Sequence, residues 1–324
     1  MGKKDDFFEL LSEKHPSLQW VAKELEGLFP GALEVSRGVV VTTGVTDYAQ
    51  NFSLQWHTFS STQRDSANHL RFSEDRLFST TGWDRGCLEG KLVLEIGSGA
   101  GRFTEILLKY GAVVVSVDLS SAVFANELAN SSERLIVVRG DFVELRSLPK
   151  IFDYVLAFGV AQHIPRPKAV YEVSAALTKP EGLVAIDHYR KRVIPTNFYH
   201  PKYVWRPLTK RLDPKLLLKI VSWYVPRYVP FDTAIVKLFG PKLSKQLRGL
   251  IPIPCWNYFG VLGFPQDMDS LIEWAILDTF DALGAEYDQP ISKRKLRKWV
   301  SEMDYRSYQI RLGGTGLVFN GVVA

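Results

Sequence analysis

Residues 93–103 read VLEIGSGAGRF, a pattern that leaves the chain few choices of local fold. The apolar residues Leu92, Val93 and Leu94 run into an acid, Glu95, and then into glycines at alternate positions, Gly97, Gly99 and Gly101, around Ser98. A helical spacing follows at once with Phe103, Ile106, Leu107 and Tyr110. A buried strand, a glycine turn and a helix start, in that order, bring backbone N–H groups close to a nucleotide-like ligand. The dinucleotide fingerprint is excluded, because its third glycine would fall at position 102, which holds Arg102.

Four more apolar runs follow, each ending where a site could form. AVVVSVD ends in Asp118, with Leu119 next, and LIVVRGD ends in Asp141, with Phe142 next. FDYVLAF ends in Phe158 and leads to Gly159, Gln162, His163 and Pro165. GLVAIDH, residues 182–188, is the fifth, behind a turn at Lys179-Pro180-Glu181-Gly182. Helical spacings separate the runs, so the pattern predicts a parallel α/β sheet. Strand-like runs at Arg306–Leu312 and Gly316–Val323, joined by Gly313-Gly314-Thr315, predict a final antiparallel hairpin. Ahead of the sheet the spacing predicts helices at Asp5–Lys14 and Pro16–Phe29, a hairpin within Leu33–Gly44 and a helix from Ser73. Plainer roles stay open at each position: Glu95 and Asp118 as helix caps, Asp141 as a loop acid, His163 as a loop-shaping residue.

The G-x-G-x-G turn behind an acid resembles motif I of the class I S-adenosylmethionine-dependent methyltransferases. That resemblance implies a Rossmann-like methyltransferase sheet, parallel strands closed by an antiparallel hairpin, with S-adenosyl-L-methionine as cofactor. It also implies that Asp118 takes the ribose hydroxyls, that Asp141 takes the adenine amino group and that Phe142 covers the ring. Glu95, Gly97, Ser98, Gly99, Gly101, Leu119 and Phe158 complete the implied cofactor contacts, with Trp56 and Gln63 closing over the methionine end. The likeness extends to a bacterial group associated with surface-polysaccharide and other biosynthesis. It is carried by FSLQW with Phe59, Gln63 and Asp65, and by AxxDTFDxLxxxYDQP over Ala275–Pro290. Many members of that group begin with a cysteine-bearing zinc ribbon. This chain has only Cys87 and Cys255, so no metal is expected.

Charge is unevenly placed. Residues 189–249 hold 14 Lys or Arg against two acids, Asp213 and Asp232, while the rest of the chain holds 26 basic and 33 acidic residues. Ten aromatics and seven prolines share that segment, which begins directly after the fifth strand. It is read as an inserted, mostly helical lid with helices at Pro214–Val225 and Thr233–Leu247, the second interrupted near Gly240-Pro241. The organisation expected is an N-terminal extension at 1–85 covering the cofactor site, a core at 86–188, the lid at 189–265 and completion of the sheet at 266–324. The two isolated cysteines, and an N-terminus without the apolar core of a signal peptide, point to the cytoplasm. Asp6 stands where myristoylation needs Ser or Thr.

The chemistry expected is in-line methyl transfer to a small or lipid-linked anionic acceptor, aided by a histidine base where a proton must leave. Beyond strands four and five the candidates are His163, His188 and Tyr189, with His188 slightly favoured because it opens onto the insertion. Contact with a membrane surface is compatible with the basic lid, and the oligomeric state is left open. Two alternatives stand beside this reading. A basic, aromatic lobe suits RNA, although neither the (Asp/Asn)-Pro-Pro-(Tyr/Phe) motif nor a Pro-Cys nucleophile follows strand four, which makes nucleic acid the weaker partner. A non-catalytic methyltransferase-like scaffold is the other, and the intact acids speak against it.

Overall fold

The computed structural model describes residues 16–28, 34–36, 38–42, 50–191, 201–250, 253–261 and 264–324. The helix read at Asp5–Lys14 lies outside them. In chain order the first elements are α1 (Pro16–Leu28), β1 (Glu34–Ser36), β2 (Val39–Val41), α2 (Gln50–Thr58), α3 (Asp65–Asn68), α4 (Phe72–Thr81) and β3 (Leu92–Ile96). Then come α5 (Arg102–Lys109), β4 (Val113–Asp118), α6 (Val123–Asn130), β5 (Leu135–Arg139), β6 (Phe152–Ala157), α7 (Lys168–Leu177) and β7 (Thr178–His188). The last are α8 (Pro201–Thr209), α9 (Pro214–Leu250), α10 (Met268–Gly284), α11 (Lys293–Val300), β8 (Tyr305–Gly313) and β9 (Gly316–Val323). They fall into two compact units, one of residues 1–49, 73–191 and 287–324, the other of residues 50–72 and 192–286. The partition differs from the four segments read from the sequence, since residues 50–72 and 266–286 group with the insertion.

The first unit is a nine-stranded sheet in the order β1-β2-β5-β4-β3-β6-β7-β9-β8. Strands β3 to β7 run parallel, and β8 and β9 close one edge antiparallel. Side-chain alternation along each strand explains why both faces are covered. Leu92, Leu94, Ile96, Val113, Val115 and Val117 enter one apolar cluster, shared with α1, α7 and α11. Val93, Val114 and Val137 enter the other, with Leu77 and Phe78 of α4 and Ile106 and Leu107 of α5.

Two features were not legible in advance. The N-terminal hairpin joins the sheet, with β2 pairing parallel to β5 from Val39↔Val137 to Val41↔Arg139. The turn expected at 179–182 is instead absorbed into β7. There Phe152 pairs with Thr178 and Tyr154 already pairs with Leu183, so the intervening residues bulge out, with Glu181 at φ 64°.

The second unit is helical. Leu217, Val221, Val225 and Val229 of α9, spaced four residues apart, pack with Leu271, Ala275, Phe280 and Leu283 of α10. This row runs across Pro226 and Pro230, so α9 continues where the sequence suggested a break after Val225. Apolar packing on both sides of the prolines outweighs their cost to the helix. The break comes at Gly240, which holds φ 78° and ψ 166°. The C-terminus of α10 is capped by side chains: Arg206 donates to the carbonyls of Ala282 and Ala285 at 2.9 and 2.8 Å, and Thr209 donates to that of Leu283 at 2.9 Å. A cation at a helix C-terminus satisfies carbonyls that have no partner in the helix.

Candidate functional site: a glycine turn among acids at strand tips

The sheet carries its polar groups at the C-terminal ends of its parallel strands. Between β3 and α5, Gly97, Gly99 and Gly101 hold φ of 75°, 53° and 86°, values that side-chain-bearing residues rarely adopt. A Cβ at Gly97 would meet Val160 Cγ2 at 2.0 Å, and one at Gly101 would meet Asn126 Oδ1 at 2.1 Å. The glycines are therefore required both by conformation and by the close approach of neighbouring elements.

Asp118, at the tip of β4, faces this turn. Its Oδ2 accepts from Gly99 N at 2.9 Å, and its Oδ1 accepts from Ser120 N and Oγ at 2.7 and 2.6 Å. Asp141 follows β5 and caps the turn Phe142–Ser147 by accepting from Val143 N at 2.9 Å. Phe142 is buried beside it, and Phe158 meets Phe103 edge-on at 5.4 Å. Leu119 is half-buried.

Glu95, a cofactor contact on the sequence reading, is turned underneath the glycine turn instead. Its Oε2 accepts from Thr104 Oγ1 at 2.5 Å and from Ser116 Oγ at 2.7 Å. The Thr104 backbone also donates to it, so the carboxyl caps α5 from the neighbouring strand. Asn126 donates to both hydroxyls, and Asn130 donates to Asn126 Oδ1 and to the Gly101 carbonyl. This chain of buried amides and hydroxyls ties the turn to β3, β4 and α6. Burial pushes the Glu95 carboxyl up to about 7, against the opposing pull of its donors and with a smaller rise from nearby Asp118.

His188 is likewise turned into the structure. It is buried, its Nε2 lies 2.8 Å from the Gln289 carbonyl, and its Nδ1 lies 3.1 Å from the Tyr171 hydroxyl. A carbonyl only accepts, so Nε2 carries the proton and Nδ1 accepts from Tyr171. Burial lowers its pKa to about 4. A neutral ring with both nitrogens engaged is a structural residue, not a base open to an acceptor. His163 is buried as well, and its Nδ1 donates to the Tyr287 carbonyl at 2.9 Å, which sets Nε2 as the accepting nitrogen of the ring's neutral form. Tyr189 lies edge-on to it, with ring centroids 5.4 Å apart. Trp56 and Gln63 belong to the helical unit.

Two sets of residues escaped the sequence reading. Asp187, at the tip of β7, accepts from Gly159 N at 2.6 Å, from Arg76 at 2.8 Å and from Thr315 at 2.8 Å. It obeys the same rule that singled out Glu95, Asp118 and Asp141, an acid where a buried strand ends, and the rule would have found it. The second set is the segment Tyr287–Ile291. Besides the two carbonyls that hold the histidines, Gln289 N donates to the Gln162 carbonyl and Ile291 N to that of Tyr189. The side-chain amide of Gln289 donates to the carbonyls of Ile164 and Pro165. The Tyr-Asp-Gln-Pro sequence is thus a strap across the ends of β6 and β7.

Residues 94–186 match the methyltransferase domain family, and they span the glycine turn, Asp118, Asp141 and His163. These residues form a class I S-adenosylmethionine-dependent methyltransferase domain. A ubiquinone biosynthesis O-methyltransferase of Rhodopseudomonas palustris is 35% identical over 119 residues, 36% of this chain and 47% of that protein. One of the same name from Coxiella burnetii is 31% identical over 98 residues, 29% of this chain and 42% of that protein. The chain therefore spans about half the length of the relatives it matches. A magnesium protoporphyrin IX methyltransferase structure from Synechocystis, with bound S-adenosylhomocysteine, covers 87% of this chain and 89% of its own at a TM-score of 0.40 and 12% identity, a likeness too distant to place any residue.

The turn fits the methyl donor of this methyltransferase family. Its glycines leave backbone where a Cβ would not fit. Among the described residues, the buried Ser98 Oγ and both polar atoms of the buried Gln162 amide have no hydrogen-bond partner in the protein, and buried polar groups left in that state call for an explanation. Among the described residues, no group of three His, Cys, Asp or Glu side chains is placed to hold a metal.

Proposed function

We propose that the chain transfers a methyl group from S-adenosylmethionine to a hydroxyl of a small or lipid-linked anionic acceptor. When bound, the cofactor supplies the activated methyl group. The chain's own residues would hold and align the two reactants. Asp118 would take the ribose hydroxyls, Asp141 with Phe142 the adenine, and Ser98 and the glycine turn the remainder, with Leu119 and Phe158 alongside. Glu95 acts through the turn, as a positioning residue. A hydroxyl acceptor is supported by the names of the two relatives, both O-methyltransferases.

The observation that carries the acceptor chemistry is the contrast between the two histidines. The Tyr287 carbonyl sets the ring tautomer of His163 just beyond β6, while both ring nitrogens of His188 are held within the core. His163 would accept the proton of the hydroxyl, with Tyr189 against its ring and Gln162 orienting the acceptor by its amide. The basic insertion, residues 189–265, would attract the anionic group by its charge. Cys87 and Cys255 are both thiols outside any disulfide, which accords with a reducing cytoplasm. RNA is the second reading, favoured only by the basic and aromatic composition of that insertion.

The experiment is a transfer assay reading release of S-adenosylhomocysteine with phenolic and carboxylated acceptors. His163→Gln should lower kcat by about 10²–10⁴-fold while leaving affinity for S-adenosylhomocysteine unchanged. Normal turnover in that variant removes the base from the account. No release with any acceptor, from protein that binds the cofactor, favours the scaffold.

A further inference from the structure

Helix α9 carries two apolar stripes, and its own unit uses only one. Leu217, Val221, Val225 and Val229 are buried against α10. Leu216, Ile220, Trp223, Phe231 and Leu238 recur at steps of four, three, eight and seven residues, and lie on the other side of the helix, roughly 140° away at 100° per residue. Every one of them is exposed, Trp223 and Phe231 at 62% and Leu238 at 75%. At 1.5 Å per residue the stripe is roughly 33 Å long. Scattered exposed leucines need no explanation, but a continuous stripe of this length marks a surface that meets something apolar.

The charges decide what that is. Lys215, Lys219 and Lys237 line one edge of the stripe, all exposed, and Arg227 sits within it with its guanidinium 5.0 Å from the Trp223 ring. The only acid in the helix is Asp232, which is buried and accepts from Asn257 at 2.6 Å. A second copy of the chain packed on this face would set lysines against lysines, with no acid to offset them. Trp, Phe, Leu and Ile on one face with Lys and Arg at its border are the composition of a helix lying in the interface of an anionic bilayer. Among the described residues no helix is long and apolar enough to cross a membrane.

We infer that α9 docks the protein on the surface of an anionic membrane through the stripe Leu216–Leu238. This goes beyond the methyl-transfer reading and stands or falls without it. The test is co-sedimentation of the full chain with phosphatidylcholine vesicles, with and without phosphatidylglycerol. The chain binds the anionic vesicles, and rising salt weakens the binding. The double substitution Trp223→Ser with Phe231→Ser lowers the partition coefficient at least about tenfold. Lys215→Glu with Lys219→Glu lowers it too and leaves every apolar contact of the core in place, so the test survives if the first variant folds poorly. Absence of binding to anionic vesicles at low salt overturns the inference. So does a dimer in solution that the aromatic double variant dissociates while wild type ignores vesicles, which would give the stripe to a second copy.

Discussion

The sheet unit and the helical unit treat polar and apolar groups in opposite ways. In the sheet unit, two acids are drawn inside and find donors: Glu95 two hydroxyls and a backbone amide, Asp187 an arginine, a threonine and a backbone amide. In the helical unit a row of aliphatics along α9 packs on α10, while Trp223, Phe231 and Leu238 and the basic Lys215, Lys219 and Lys237 of the same helix face outward. The sheet unit spends its polarity on geometry that fixes a small site. The helical unit keeps the lysines of α9 at the surface, where they can meet a partner larger than the site. The difference separates the two functions proposed, chemistry at the strand tips and recognition by the insertion.

That comparison can be broken by variants confined to one unit. The largest effect is expected from Gly97→Ala. The new Cβ would stand 2.0 Å from Val160 Cγ2 on backbone at φ 75°, so the turn must move. Binding of S-adenosylhomocysteine should fall below detection by calorimetry, with the melting temperature lowered. Unchanged affinity would show that the turn does not contact the cofactor.

Glu95→Gln sharpens the same contrast through pH. The folded carboxyl is raised from 4.5 to about 7, so between those values the native state holds a proton that the unfolded chain has lost. The wild type is therefore most favoured below pH 4.5, and this contribution, on the order of 3 kcal/mol, fades as pH rises through 7. Denaturant titrations across that range should show the slope in the wild type and its loss in Glu95→Gln. Parallel profiles would contradict the raised value.

Arg206→Ala acts on the helical unit alone. It leaves the Ala282 and Ala285 carbonyls without their guanidinium and should cost about 2 kcal/mol in denaturant unfolding. Affinity for S-adenosylhomocysteine should not change. A matching loss of cofactor binding would show that the two units do not divide the work.

Much of the sheet was legible because a strand buried on both faces shows an uninterrupted apolar run, and a strand end shows where it stops. Glycines at 97, 99 and 101 announced the turn for the same local reason. What escaped depends on residues distant in the chain. His188 reads as an outward base only until the Gln289 carbonyl, 101 residues away, is seen to hold its Nε2. The Tyr-Asp-Gln-Pro segment was legible as a motif but not as a strap, since its hydrogen bonds run to β6 and β7. The N-terminal hairpin gave no sign of its partner, because a valine run pairs equally well with any parallel neighbour. Prolines 226 and 230 read as a helix end, yet the valines on either side share one buried row.

The central claim is that the glycine turn with Asp118 binds S-adenosylmethionine, and calorimetric titration with S-adenosylhomocysteine tests it most directly. The account predicts saturable binding by the wild-type chain, weakened by about tenfold to several hundredfold in Asp118→Ala, the worth of hydrogen bonds to a charged acceptor. The variant's melting curve should confirm that it is folded. A folded Asp118→Ala protein with wild-type affinity, or a folded wild-type chain that binds no S-adenosylhomocysteine, would contradict it.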